Sequence, residues 1–173
     1  SELPELQMSL DQLTTLTWQL SQSMSENAVD ASALAEYARS FQSIRDLPPG
    51  GRGGYPGVDR TADNIALLPV LIDLVDEFRE AKAARGIVEY SDQVRLGLEV
   101  ARSSPEVVEG LRARHSVVLL DEYQDTSVLQ TTLLSTLFAD HPVMSVGDPL
   151  QAIYGWRGAS AANLDDFPRE FAR

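Results

Sequence analysis

The chain has 173 residues, 43% hydrophobic and 23% charged, enough for one globular domain or slightly more with a sizeable core. Fourteen Lys and Arg against 26 Asp and Glu leave a net charge of −12, which argues against a free-standing nucleic-acid binder, since phosphate contact calls for a basic face. The absence of cysteine excludes disulfides and thiolate chemistry and suits the cytoplasm. No apolar run approaches the ~18 residues of a membrane span, and SELPELQMSL lacks the basic start and apolar stretch of a signal peptide.

Residues 3–24 place Leu6, Leu10, Leu13, Leu16, Leu20 and Met24 at helical spacing, predicting an amphipathic helix with Pro4 in its first turn. A second helix is predicted from about Ser32 to Arg45, with Leu34, Tyr37, Ala38, Phe41 and Ile44 on one face. LPPGGRGGYPGV (47–58) reads as a loop in which Arg52 is the only cation. Helical pattern resumes with Thr61 as N-cap, and Pro69 either kinks this helix or starts a new one, which ends at Arg85-Gly86. IVEYSDQVRLGLEVA (87–101) reads as an extended entry and a helix, and Ser104-Pro105-Glu106 opens another through about Arg114. A strand over 116–121, a helix from about Ser127 to Phe138 and a strand over 142–147 follow, a pattern that predicts a right-handed parallel crossover. Two such apolar strands call for neighbours on their edges and cover on both faces, so further strands are expected outside this sequence.

Both strands end in acids, and ligands of open α/β sheets bind at the carboxyl ends of strands. Asp121 can hold Mg²⁺, and Glu122 can take a proton from an attacking water. The same acids also suit a solvated strand end, with Asp125 and Thr126 capping the next helix. Gln151 follows Gly147-Asp148 at the second strand end, where an amide can donate to a phosphate oxygen and accept from water. Tyr154 and Trp156, separated by Gly155, can stack unpaired bases at roughly 1–3 kcal/mol per base, and Arg157 can pair with phosphate. The three side chains equally suit core packing and a structural ion pair.

DEYQDT (121–126) and GDPLQAIYGWRGA (147–159) together resemble motifs II and III of the UvrD/Rep/PcrA group of superfamily 1 DNA helicases. VEYSDQV (88–94) is similar to a segment these proteins carry upstream of motif II, and the resemblance is strong over 117–160 and by pattern alone before 87. It implies a helix-rich α/β fold: an all-α inserted subdomain over 1–86, then a partial RecA-like P-loop NTPase core over 87–173. It implies ATP and Mg²⁺ as cofactors, with Asp121 on the metal, Glu122 activating water and Gln151 on the γ-phosphate. Tyr154, Trp156 and Arg157 would then meet single-stranded DNA, while Gln124 and Asp148 fix local hydrogen bonding. Pro149-Leu150 and Ala152 depart from the family's more polar residues and leave Gln151 and the aromatics in place.

No GxxxxGK[ST] phosphate loop occurs in the sequence. The chain is therefore expected to be a middle portion of a 3′-to-5′ ATP-dependent DNA helicase, inactive alone. It would act on single-stranded or junction DNA with the remaining helicase domains. The motif wording further suggests use at the bacterial nucleoid, beside a partner helicase-nuclease subunit. Two alternatives stay open: a metal-dependent nuclease or phosphohydrolase built on Asp121, Glu122, Asp125 and Asp148, and a non-catalytic interaction module.

Overall fold

The computed structural model describes residues 8–46, 56–155, 159 and 162–172. Residues 47–55 of the loop expected over 47–58, Arg52 among them, lie outside these, as do Leu6, Trp156 and Arg157. The chain divides into two compact units, one of residues up to Met24 and Val29–Ile87, the other of Ser25–Ala28 and Val88 onward.

The first unit is helical. Helix α1, Leu10–Glu26, starts later than its periodicity suggests, because Ser9 caps it. Ser9 N donates to Gln12 Oε1 and Gln12 N to Ser9 Oγ (3.0 and 3.2 Å), a reciprocal box that ends the helix there. Helix α2, Ala31–Gln42, is capped by Asp30, whose Oδ1 accepts from Ser32 N at 2.6 Å, and it continues as a 3-10 turn over Ser43–Asp46. Ala38 faces the core as expected, but Tyr37 is exposed.

Helix α3, Pro56–Ala66, begins inside the stretch expected to be loop. Thr61 is therefore no N-cap: it lies within α3 and donates Oγ1 to Gly57 O at 2.8 Å. Pro69 starts a new helix, α4, Leu68–Ala84, where a missing N–H costs nothing in the first turn. Gly86, at φ 67°, closes α4: its N–H donates to Ala83 O and that of Ile87 to Lys82 O, satisfying the last carbonyls. Helix α2 packs on α3 and α4, and Gln42 Nε2 donates to Ala62 O at 2.9 Å.

The second unit carries the strands. Helix α5, Tyr90–Ser103, opens on a Glu89/Asp92 capping box, and α6, Pro105–Arg114, follows with Ser104 at the N-cap position. Strand β1, Val118–Leu120, and strand β2, Val143–Ser145, pair in parallel with Leu119 opposite Met144. Helix α7, Val128–Phe138, joins them and packs most extensively on α5. The expected helix-capping by Asp125 and Thr126 gives way to Ser127, which accepts from Gln130 N in a third capping box. At the other end of α7, Arg112 donates to Leu137 O and Ala139 O (2.6 and 3.0 Å), taking up carbonyls the helix leaves unpaired.

Helix α8, Ala162–Phe171, has no forerunner in the sequence reading, since Pro168 argues against a helix interior. Packing outweighs that cost: Leu164, Phe167 and Phe171 join Tyr123, Phe138, Val118, Leu120 and Val143 in one apolar cluster. Tyr123 meets Phe167 edge-on at 5.4 Å, and Phe167 stacks on Phe171 at 4.6 Å. The register partners Leu119 and Met144, by contrast, stand 67% and 53% exposed. The fold is thus helix-rich with a small parallel two-stranded sheet. Among the described residues, no helix is long and apolar enough to cross a membrane.

Candidate functional site

Because β1 and β2 run in parallel, the acids that follow them emerge at the same end of the sheet. Asp121 and Glu122 leave β1 and are both exposed. Beyond the ladder, Val146 N donates to Leu120 O at 2.8 Å and Tyr123 N to Val146 O at 3.0 Å, so the two strand ends stay laced together.

Glu122 sits in the left-handed region, φ 51° and ψ 38°, which costs an L-residue about 1–2 kcal/mol. Its N–H donates to Asp121 Oδ1 at 2.9 Å. A 3-10 turn, Tyr123–Asp125, follows and sends Tyr123 into the aromatic cluster. Burial there pushes the Tyr123 phenol up to about 12, opposed in part by its hydrogen bond with Thr131 Oγ1 at 3.4 Å. Tyr123 thereby anchors the turn from which Glu122 projects.

Gln124, 1% exposed, joins the strand ends. Its Nε2 donates to Glu122 Oε2 at 2.6 Å, and its Oε1 accepts from Asp148 N at 3.0 Å. Gly147 makes room for it: a Cβ there would stand 2.3 Å from Gln124 Oε1 and 2.7 Å from Leu164 Cδ1. Asp148 caps the 3-10 turn Pro149–Gln151, with Oδ1 accepting from Leu150 N at 2.9 Å and Oδ2 from Gln151 Nε2 at 2.8 Å. The Gln151 amide and the Leu150 N–H hold the Asp148 carboxyl below its ordinary range. Glu122, Gln124, Asp148 and Gln151 therefore form one continuous hydrogen-bonded chain.

The segment beyond Gln151 is tied to the same turn. Ile153 N donates to Asp125 Oδ1 at 3.4 Å, and Ala159 N to Tyr154 O at 3.3 Å. Ser127 and Ala159 form an antiparallel bridge, and Asn163 Nδ2 donates to Thr126 O at 2.8 Å. Tyr154 is 38% exposed.

The four acids of the nuclease alternative do not gather. Asp125 accepts from Ile153 N and Asp148 from Leu150 N, and among the described residues no three His, Asp or Glu side chains group as metal ligands. Sequence reasoning gave Gln124 a local role and overlooked Gly147. The signal lay in the juxtaposition of a glycine at one strand end with an uncharged amide among acids at the other.

The family model described as the UvrD/REP helicase N-terminal domain matches residues 59–172. A probable DNA helicase II homolog of Rickettsia felis is 30% identical over 112 residues, 63% of this chain and 17% of that protein. DNA helicase II of Escherichia coli is 35% identical over 95 residues, 54% of this chain and 13% of its own. The exonuclease/helicase subunit RexA of Lactococcus lactis subsp. cremoris is 37% identical over 87 residues, 50% of this chain and 7% of its own. The chain thus spans less than a fifth of each of these relatives.

Proposed function

The chain belongs to the UvrD/REP helicase N-terminal domain family, and on that premise we propose that it serves an ATP-dependent DNA helicase as the part bearing its hydrolytic acids. The observation that carries this reading is the hydrogen-bonded chain from Glu122 through Gln124 and Asp148 to Gln151 at one sheet end. It joins a proton acceptor to an amide able to sense a phosphate. Residues 1–86 are read as the inserted helical subdomain and 87–173 as part of a RecA-like motor domain.

Asp121 offers hard carboxylate oxygen at an exposed strand end, a donor suited to Mg²⁺, which takes one or two carboxylates and completes its shell with phosphate and water. Bound there, Mg²⁺ would neutralise charge on the β- and γ-phosphate oxygens. Glu122 accepts the proton of the attacking water, held outward by its left-handed backbone and by Gln124. Gln151 keeps one amide hydrogen on Asp148 and has a second for a γ-phosphate oxygen. Tyr154, Trp156 and Arg157 receive bases and phosphates of single-stranded or junction DNA, with 3′-to-5′ movement.

The exposed Leu119 and Met144 face awaits cover by the remaining helicase domains. With no phosphate-cradling loop in this sequence, the chain alone is expected to turn over no ATP. A cytoplasmic, nucleoid-associated setting completes the proposal, together with a partner helicase-nuclease subunit.

Glu122→Gln in the full-length protein should lower DNA-stimulated ATP turnover by about 10²–10⁴-fold, the range of general-base catalysis. Turnover at the wild-type rate would assign the motif a non-catalytic role instead.

A further inference from the structure

Two of the partners that meet at Gln124 come from different strand ends, and neither can exchange roles. A carboxylate only accepts and a backbone N–H only donates, so a single orientation of the buried amide satisfies both Glu122 Oε2 and Asp148 N. Gly147 leaves no spare room behind it, since a Cβ would also lie 3.2 Å from the Gln124 backbone N. The amide is therefore fixed from both sides, while the carboxylate it holds is exposed.

The geometry points to Gln124 as a positioning residue for ATP hydrolysis, setting the orientation of the Glu122 carboxylate and coupling it to the turn that carries Gln151. This deepens the functional reading above and rests on it. Asp148 is the hinge of the coupling: its N–H holds Gln124 while its carboxylate holds Gln151 and Leu150. When the second amide hydrogen of Gln151 engages a phosphate oxygen, the first still holds Asp148, so a displacement of Gln151 passes through Asp148 and the Gln124 amide to the Glu122 carboxylate. Glutamate at 124 cannot replace glutamine, because it has no hydrogen to donate and sets a second negative charge beside the first. Methionine matches the volume and lacks both bonds.

Two measurements test this. In ¹⁵N-labelled chain, the Gln124 side-chain amide should exchange slowly with solvent, and its resonances should move when Glu122 is replaced by Ala. Fast exchange, or resonances indifferent to Glu122→Ala, overturns the proposal, and this arm needs no substitution at the buried site. In the full-length protein, Gln124→Met should lower kcat for ATP by about 100-fold, the scale set by small misplacement of a reacting group. KM for ATP should stay unchanged, and Glu122→Gln/Gln124→Met should be no slower than Glu122→Gln alone. Wild-type kcat in Gln124→Met beside an inactive Glu122→Gln refutes the positioning role and spares the functional reading. An active Glu122→Gln refutes both.

Discussion

Gly86 and Glu122 share a backbone conformation and occupy it for different reasons. Gly86, at φ 67°, ends α4 in the helical unit, where no side chain is wanted and a Cβ would meet nothing within 4 Å. Glu122, at φ 51°, follows β1 in the strand-bearing unit and keeps its carboxylate despite the steric cost. Ala28 and Asp140 also have positive φ, so the conformation alone marks no site. What sets Glu122 apart is that its strained backbone aims a side chain already gripped by a buried amide. The helical unit follows local rules of capping and turn closure, whereas the strand ends obey a constraint imposed across more than twenty residues.

The sharpest way to break this contrast is to add one methyl group at each glycine. Gly147→Ala drives a Cβ into Gln124 and Leu164, and it should cost about 1–3 kcal/mol of stability by denaturant unfolding. Gly86→Ala meets open space and pays only for its dihedral, about 1–2 kcal/mol. The two should also differ in kind: Gly147→Ala should shift the Asp148 amide resonance, and Gly86→Ala should leave it in place. If Gly147→Ala is the milder change, the close approach at Gln124 is loose and the contrast fails.

A local cap inside the strand-bearing unit provides a smaller reference. Ser127→Ala removes one half of the α7 capping box and should lower stability by about 1 kcal/mol in thermal or chemical unfolding. A much larger loss would mean that the Ser127–Ala159 bridge depends on the same hydroxyl.

The weakest expected effect is on pH dependence. Burial raises the Glu170 carboxyl above its ordinary 4.5, offset in part by its contacts with Tyr123 and Arg169. Folded Glu170 thus holds its proton to higher pH than the unfolded chain does. The stability this confers is full below 4.5 and is lost as pH rises through the raised folded value. Glu170→Gln stays neutral throughout, so its stability relative to wild type should improve as pH rises from below 4.5 toward neutrality. A difference that is flat with pH would remove Glu170 from the aromatic cluster's electrostatics. At alkaline pH, one of the five tyrosines should ionise at about 12 in an absorbance titration, and Tyr123→Phe should remove that step.

Much of the local structure was legible in residue order. Ser104-Pro105, Arg85-Gly86 and the leucine spacing of α7 act within one or two helical turns, so their outcome depends on neighbours already in the string. The Ser9-x-x-Gln12 box was equally local, and the apolar stripe obscured it by continuing upstream. The true start of α3, and α8, were less legible because Gly57 in the first turn of the one and Pro168 inside the other argue against a helix. For α8 the apolar cluster supplies what propensity withholds.

By itself the sequence determined two acid-tipped apolar strands separated by a helix, and with them the family and the placing of Asp121, Glu122 and Gln151 at one sheet end. Periodicity and the handedness of parallel crossovers suffice for the strands and that placing, while the family came from the resemblance of DEYQDT and GDPLQAIYGWRGA to helicase motifs. Only the tertiary structure decided that Gln124 is buried between the strand ends, that Gly147 clears its path, and that Glu122 projects from a left-handed residue. These features arise where residues 122–124 meet 147–151, and a hydrogen bond between partners that far apart exists only once β1 and β2 have paired in register.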